Sequence, residues 1–309
     1  MFQDCSSPRR VLVLGGGFIG SAVARALLVR GHSVVVLTRS QPSPQRTVLM
    51  HGAELVIASP NESDQVLPLL SEVDDVLYAV GSSNPARSEM APAAEVVENV
   101  PPLVWLLELV RQHPHARLLF LSSGGTVYGN ALQVPTPENS PLRPISSYGI
   151  AKSTCESFLS MYSEVHGIST HSLRVSNPYG PGQPGLTQGV VARMLHCART
   201  GESLTLFGYG KAVRDFIYID DLATVITSLV ETADLPLTLN VGSGIGTSTS
   251  EVVELVREIT GRSLAVHMQP SRTSDVNAAV LDVTRLTSLV TLPGRSLREG
   301  ITMTWQAVE

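Results

Sequence analysis

Apolar residues fall along the chain in short, nearly uncharged blocks at 10–14, 34–37, 54–57, 76–80 and 118–121, each rich in Val, Leu or Ile and without polar alternation, as in strands buried on both faces of a parallel sheet. A more polar strand is expected at 170–175. Helical patterns stand between them. One runs from a glycine-rich turn to about residue 30 with Gly31 as stop signal, and others cover about 64–70 and 89–111. A further helix opens at Ser146 or Ser147, either of which can cap it, and runs until Gly167. In the 89–111 segment Pro101-Pro102 predict a break after Asn99 and a restart, because proline removes a donor but is tolerated in a first turn. Its apolar positions Val96, Val97, Val100, Leu103, Val104, Leu107 and Val110 form a stripe that packs on its own sheet or on a second copy of the chain. Strands alternating with helices predict an α/β fold with a doubly wound parallel sheet. Beyond residue 176 the composition shifts to Pro/Gly-rich loops and shorter elements. The expected domains are therefore 1–176, rejoined by about 213–241, and a smaller α/β domain over 177–309.

The turn after the first block reads Gly15-Gly16-Gly17-Phe18-Ile19-Gly20, a G-x-G-x-x-G between a strand and a helix, with a second strand following. In that context the glycines allow a tight turn and close backbone approach, and the helix N-terminus receives a pyrophosphate. The first domain is thus expected to be a Rossmann-type dinucleotide-binding domain. Binders of NAD place an Asp or Glu after the second strand for the ribose hydroxyls. Here Thr38-Arg39-Ser40 stands there and the next acid is Glu54, so Arg39, with Arg46, suits a 2′-phosphate. NADP is favoured over NAD, and the alternative is that Arg39 stacks on adenine or faces solvent.

Composition narrows the classes. The 309 residues are 43% hydrophobic and 16% charged, enough for a sizeable core and against disorder. A net charge of −5 without a basic run argues against nucleic acid and anionic membranes as partners. Cys5, Cys155 and Cys197 have neither metal nor disulfide spacing, which fits a reducing cytoplasm and no metal site. The N-terminal apolar run followed by Ala22-Val23-Ala24 imitates a signal peptide, but strand, turn and helix explain more of its residues, and Arg25, Arg30 and His32 interrupt any span.

Tyr148 and Lys152 stand four apart in Ser146-Ser147-Tyr148-Gly149-Ile150-Ala151-Lys152, so a helix presents both on one face. An ammonium beside a phenol favours the phenolate, which predicts a lowered Tyr148 pKa and an acid–base role near neutral pH. Taken alone, such a pair is more often plain helix surface.

Together these stretches resemble the extended short-chain dehydrogenase/reductases, within them the NAD-dependent epimerase/dehydratase family acting on nucleotide sugars. The resemblance spans Gly15–Gly20, Ser122-Ser123-Gly124-Gly125-Thr126-Val127-Tyr128-Gly129, Tyr148 to Lys152 and Leu173 to Gly180. It continues through Arg214-Asp215-Phe216-Ile217-Tyr218-Ile219-Asp220-Asp221, Asn240-Val241-Gly242-Ser243-Gly244 and the region from Arg272 to Asp282. It implies that Tyr148 takes a proton from a sugar hydroxyl as hydride leaves the same carbon, and that Lys152 holds the nicotinamide ribose. It also implies cofactor contacts from Gly15, Gly17, Phe18, Ile19, Gly20, Arg39, Ala79, Gly81, Asn99 and Ser122. Substrate contacts are implied for Asn177, Arg214 and Arg272, the two guanidiniums clamping a diphosphate. Arg272 has a second reading, a pair with Asp275. Asp215, Asp220 and Asp221 read as caps and ion-pair partners, and Tyr128 and Tyr179 as packing. His113 and His115 receive no role.

The chain departs from the family pattern at three places. Its glycine turn is G-x-G-x-x-G where G-x-x-G-x-x-G is common, the acidic ribose ligand is missing, and Gly124 occupies the usual position of the catalytic Ser or Thr. The hydroxyl then comes from Ser123, the favoured candidate, or from Thr126. Related dehydratases and decarboxylases carry acids before Val-Tyr-Gly, where this chain has Gly125 and Thr126, so both classes are set aside. What remains is a nucleotide-sugar 4-epimerase resembling UDP-glucose 4-epimerases. The alternative is an NADPH-dependent 4-ketoreductase of a nucleotide deoxysugar, and a non-catalytic NAD(P)-binding protein is the reading from a different class. A homodimer is the family-level expectation.

Overall fold

The computed structural model describes residues 7–81, 85–184 and 189–307. Cys5, Ser82 and Ser83 lie outside them. The first part of the chain forms β1 (Arg10–Leu14), α1 (Phe18–Val29), β2 (Ser33–Thr38), α2 (Pro44–Leu49), β3 (Glu54–Ile57), α3 (Ser63–Leu70) and β4 (Asp75–Tyr78). There follow α4 (Pro85–Met90), α5 (Pro92–Val110), β5 (Arg117–Ser123), α6 (Ser147–His166), β6 (Thr170–Val175) and β7 (Asn177–Tyr179). Next come α7 (Val190–Thr200), β8 (Leu204–Phe207), β9 (Val213–Tyr218), α8 (Ile219–Glu231) and β10 (Thr238–Val241). The chain closes with β11 (Gly246–Ser248), α9 (Thr249–Thr260), β12 (Val266–Gln269), β13 (Ala278–Ala279), α10 (Thr284–Leu289) and α11 (Leu297–Gln306).

Seven strands make the main sheet in the order β10-β6-β5-β4-β1-β2-β3. The pairs from β5 to β3 are parallel. The apolar blocks are its middle: Val11 to Leu14 and Val34 to Leu37 are buried, as a sheet covered on both faces requires. Only β3 departs from this, with Leu55 and Ile57 exposed, because it is the edge strand. The order reverses between β1 and β4, which puts the Gly15 turn and the residues after Tyr78 together at the strands' carboxyl ends, the usual ligand position in such sheets. At the opposite end Asp75, fully buried, accepts from Nε of Arg9 and from Nε of Arg117 at 2.6 Å. Arg117 also donates to the carbonyls of Val230 and Thr232, both at 2.6 Å.

Pro101-Pro102 do not break the helix. α5 runs unbroken from Pro92 to Val110, and the interruption falls earlier, at Ala91, with Pro92 opening the new helix. The carbonyls that lose donors to the two prolines are those of Val97 and Glu98, four residues earlier, and both residues are on the exposed side where water replaces the missing donor. The stripe on this helix divides in two. Leu103, Leu107 and Val110 enter the core with Leu106, whereas Val96 and Val97 stay exposed.

The chain forms two compact units. One comprises 1–123, 146–174 and 223–239, and the other 124–145, 175–222 and 240–309. Residues 124–145, expected in the first domain, cluster with the second, and the return to the first begins at 223. In the second unit β9 pairs in parallel with β7 and β13 and antiparallel with β11, while β8 pairs with β12. Helices α9 and α11 each begin with a capping box, Ser248 with Glu251 and Ser296 with Glu299. Among the described residues no helix is long and apolar enough to cross a membrane.

Candidate active site

The first unit carries a cavity of about 210 Å³ beside the glycine turn. Gly15 has φ +108°, and a Cβ there would come within 2.8 Å of the Ala79 carbonyl, so no other residue fits between β1 and β4. A Cβ on Gly20 would overlap the Gly15 carbonyl, whereas one on Gly17 would meet no atom within 4 Å and would project into open space. Gly17 caps α1 without a side chain, so the first N–H groups of Phe18 and Ile19 have no intrahelical acceptor and suit an anion. Arg39, Ser40, Ser43, Arg46, Ala79 and Gly81 also line the cavity, and among the described lining residues there is no Asp or Glu. A glycine cradle, a free helix start and two guanidiniums fit a dinucleotide.

Asn99 and Ser122 do not line this cavity. The Asn99 side chain donates to the Glu95 carbonyl at 2.8 Å and to the Glu95 carboxylate at 2.9 Å. The Ser122 hydroxyl donates to Glu156, whose other oxygen takes Arg174 at 2.7 Å.

Tyr148 sits in the first turn of α6. Ser146 is the cap, accepting from the Gly149 N–H at 3.2 Å, and Gly167 in the left-handed region ends the helix. The Tyr148 backbone N–H donates to Ser88 Oγ at 3.3 Å, and the hydroxyl that acts on its phenol, favouring the phenolate, is that of Ser123 at the end of β5. Thr126, the competing hydroxyl, lies in the 124–145 segment of the second unit. Lys152 is buried, and its ammonium donates to the Leu121 carbonyl at 2.9 Å, 4.6 Å from the centre of the Phe120 ring and 5.9 Å from that of Tyr148. The expected lowering of the Tyr148 pKa is reversed. Burial, with a further push from the Glu95 charge, drives the phenol up to about 12, and the Ser123 hydroxyl offsets only part of this. Burial likewise pulls Lys152 below the ordinary lysine value. Desolvation outweighs pairing because the ammonium points at Leu121 rather than at the phenol.

The second unit gathers the other predicted residues. Asn177 donates from Nδ2 to the Asp215 carbonyl at 3.0 Å, and its side chain lies against the Cα side of Gly125. Arg214 donates to the Val213 carbonyl at 2.9 Å; burial pulls its guanidinium below the ordinary value, against the charge of Asp275. Arg272 pairs with Asp275 at 2.8 Å and stacks on Phe207, its guanidinium carbon 4.4 Å from the ring centre. Of the two arginines, Arg272 is the one paired with Asp275. Asp215 is fully buried and accepts from the N–H groups of Ser243 at 2.8 Å and Gly244 at 3.0 Å, a structural use; Asp221 pairs with Arg295 at 2.7 Å. Tyr128 bonds Asn240 at 2.7 Å and Tyr179 packs on Phe216 and Tyr218.

Among the described residues three buried carboxylates escaped the sequence reading: Asp75 at the far end of the sheet, Glu95 and Glu156. Glu156 continues the four-residue spacing of Tyr148 and Lys152, and Glu95 stands four before Asn99 in line with Leu103, so each lies on the buried face of its helix. A charged residue in phase with core positions was the available signal.

A dinucleotide turn at the switch point of a parallel sheet, with a tyrosine, a lysine and a strand-end serine in the same unit, defines an extended short-chain dehydrogenase/reductase. The sequence model of the NAD dependent epimerase/dehydratase family matches residues 11–242, and the chain belongs to that family. The UDP-glucose 4-epimerase of Mycolicibacterium smegmatis is 31% identical over 305 residues, covering 96% of this chain and 97% of that one. The crystal structure of the Thermotoga maritima UDP-glucose 4-epimerase with UDP-glucose aligns with a TM-score of 0.89 at 32% identity, covering 97% of this chain and 98% of that one. The Thermus thermophilus UDP-glucose 4-epimerase in complex with NAD aligns with a TM-score of 0.88 at 30% identity, covering 96% and 98%.

Proposed function

We propose that the protein is a nucleotide-sugar 4-epimerase of the UDP-glucose 4-epimerase type, with Tyr148 as its acid–base group. The observation that carries this reading is that Tyr148, Lys152 with its ammonium 5.9 Å from the phenol ring centre, and Ser123 lie in the unit that also holds the dinucleotide turn. Ser123 holds the oxygen on the sugar C4, and Tyr148 as phenolate takes that oxygen's proton while hydride leaves the same carbon. NAD(P), when bound, supplies the hydride acceptor and a positive charge that favours the phenolate. Once the 4-keto sugar has turned over, Tyr148 returns the proton to the oxygen as hydride comes back to the other face.

Gly15, Gly17 and the start of α1 at Phe18 and Ile19 hold the pyrophosphate. Arg39 and Arg46 hold a 2′-phosphate, so NADP is preferred. Asn177, Arg214 and Arg272 of the second unit bind the nucleotide sugar, the two guanidiniums taking the diphosphate, Arg272 in exchange for part of its hold on Asp275. A homodimer is supported by exposed apolar side chains on α5 (Val96, Val97, Trp105) and α6 (Ile150, Met161, Val165), and a monomer in sedimentation would refute it. The acidic net charge, together with thiols at Cys155 and Cys197 that form no disulfide, suits the cytoplasm.

The absence of an acid beside Arg39 and Arg46 in the described cavity lining favours a second reading, an NADPH-dependent 4-ketoreductase. One experiment separates the two. Purified protein is incubated with UDP- and dTDP-sugars while reduced nicotinamide is followed by absorbance. Interconversion without added reductant identifies an epimerase, and stoichiometric NADPH loss with a 4-keto sugar identifies a reductase. Unchanged turnover in Tyr148→Phe would refute both and leave a non-catalytic binding protein.

A further inference from the structure

The Asn240–Gly244 segment closes on a target within its own unit, the carboxylate of Asp215 on β9. Asp215 is fully buried, and it accepts from the Ser243 N–H at 2.8 Å, the Ser243 hydroxyl at 2.7 Å, the Gly244 N–H at 3.0 Å and the Leu281 N–H at 3.4 Å. A Cβ on Gly242 would stand 2.5 Å from Asp215 Oδ2, so the carboxylate fills the room that this glycine leaves. Asn240 fixes the turn from its other end, its side-chain amide donating to the carbonyls of Thr136 at 2.9 Å and Asp282 at 3.1 Å. Hydrogen bonds to an ionised acceptor are the stronger kind, and a buried carboxylate that loses them is left with its full desolvation cost.

The residue before Asp215 on the strand is Arg214. Strand β11, which follows the turn, pairs antiparallel with this part of β9, Gly246 opposite Asp215 and Thr247 opposite Arg214. From β7, Asn177 Nδ2 donates to the Asp215 carbonyl at 3.0 Å. Successive side chains of a strand leave opposite faces, so seating Asp215 in the buried turn sends Arg214, which is only part-buried, to the other face. A slip of one residue would exchange the two and bury the guanidinium where the carboxylate belongs.

We propose that Asp215 is a positioning residue of the substrate site: its carboxylate, seated in the Gly242–Gly244 turn, fixes the strand face from which Arg214 reaches the substrate diphosphate. This rests on the nucleotide-sugar reading above and gives the Asn240–Gly244 segment a part in it.

The probe is UDP, which carries the diphosphate without a reacting sugar, and its binding to the full chain is measured by calorimetry beside that of NAD and NADP. Arg214→Ala sets the scale, with UDP expected to bind about 10- to 100-fold more weakly. Asp215→Asn keeps the size of the side chain but turns a donor toward N–H groups, and is expected to weaken UDP about tenfold. Ser243→Ala removes one of the four donors and is expected to weaken UDP about threefold; it carries the test should the Asp215 variant fail to fold. Cofactor binding is expected to be unchanged in both. Ser243→Ala added to Arg214→Ala is expected to give no further loss, because the turn acts through that guanidinium; a general loosening of the unit would weaken UDP in that background too. Wild-type UDP affinity in Ser243→Ala, or a further loss of the same size on top of Arg214→Ala, would overturn the proposal. A wild-type protein that binds no UDP would instead refute the nucleotide-sugar reading on which it rests.

Discussion

Ser123 favours the phenolate of Tyr148, although one closes a strand and the other opens a helix. This relationship supports Ser123 over Thr126 as the proposed source of the hydroxyl that Gly124 cannot provide. Ser123→Ala is expected to lower kcat by about 10²-fold, in the range for removing one donor from a reacting oxygen, with little change in stability. Thr126→Ala is expected to stay within a few-fold of wild type. Steady-state kinetics on both variants check this, and the opposite ranking would move the role to Thr126.

Arg39 and Arg46 line a cavity whose described walls carry no carboxylate. The double variant Arg39→Ala/Arg46→Ala is expected to weaken NADP binding by about 10- to 100-fold, the worth of charge-assisted bonds, while NAD binding holds. Nicotinamide fluorescence titration with both cofactors measures it, and equal losses for the two would refute the 2′-phosphate role.

Asp75 is fully buried and shared by Arg9 and Arg117 at the end of the sheet away from the glycine turn. Removing it strands two guanidiniums, so Asp75→Ala is expected to destabilise the protein by about 3–5 kcal/mol. Denaturant unfolding gives the number, and a loss below 1 kcal/mol would show that water takes over both arginines.

Stability should fall at both pH extremes for different reasons. Hydrogen bonds from Ser248 hold the Glu251 carboxyl below its ordinary value of 4.5. Its contribution is complete above that value and is lost as pH falls through the lowered one. Tyr148 behaves in the opposite sense. Its phenol is raised from 10.0 to about 12, so its contribution is complete below 10.0 and lost as pH rises toward about 12. Thermal melts across pH 3 to 11 should show both limbs. Glu251→Gln should flatten the acidic one and Tyr148→Phe the alkaline one; unaltered limbs in these variants would place the titration elsewhere.

Local periodicity and turn chemistry in the sequence determined the parallel sheet, the Gly15–Gly20 turn, a cap at Ser146 or Ser147 and the face shared by Tyr148 and Lys152; that Ser146 is the cap came from the structure. Each depends on neighbours within a few residues along the chain, where spacing alone sets direction. The resemblance of several motifs in order supplied the chemistry. What the sequence misjudged depended on burial and on distant partners. Pro101-Pro102 read as a break, yet the exposed side of α5 tolerates their lost bonds. The ammonium of Lys152 read as a lever on the phenol, yet it turns to Leu121, and desolvation of both groups wins. Arg272 read first as a clamp and second as a pair, and its contact with Asp275 appears only once the loop is folded. The sign of an electrostatic effect follows from which charges lose water together, and that is a property of the packed structure.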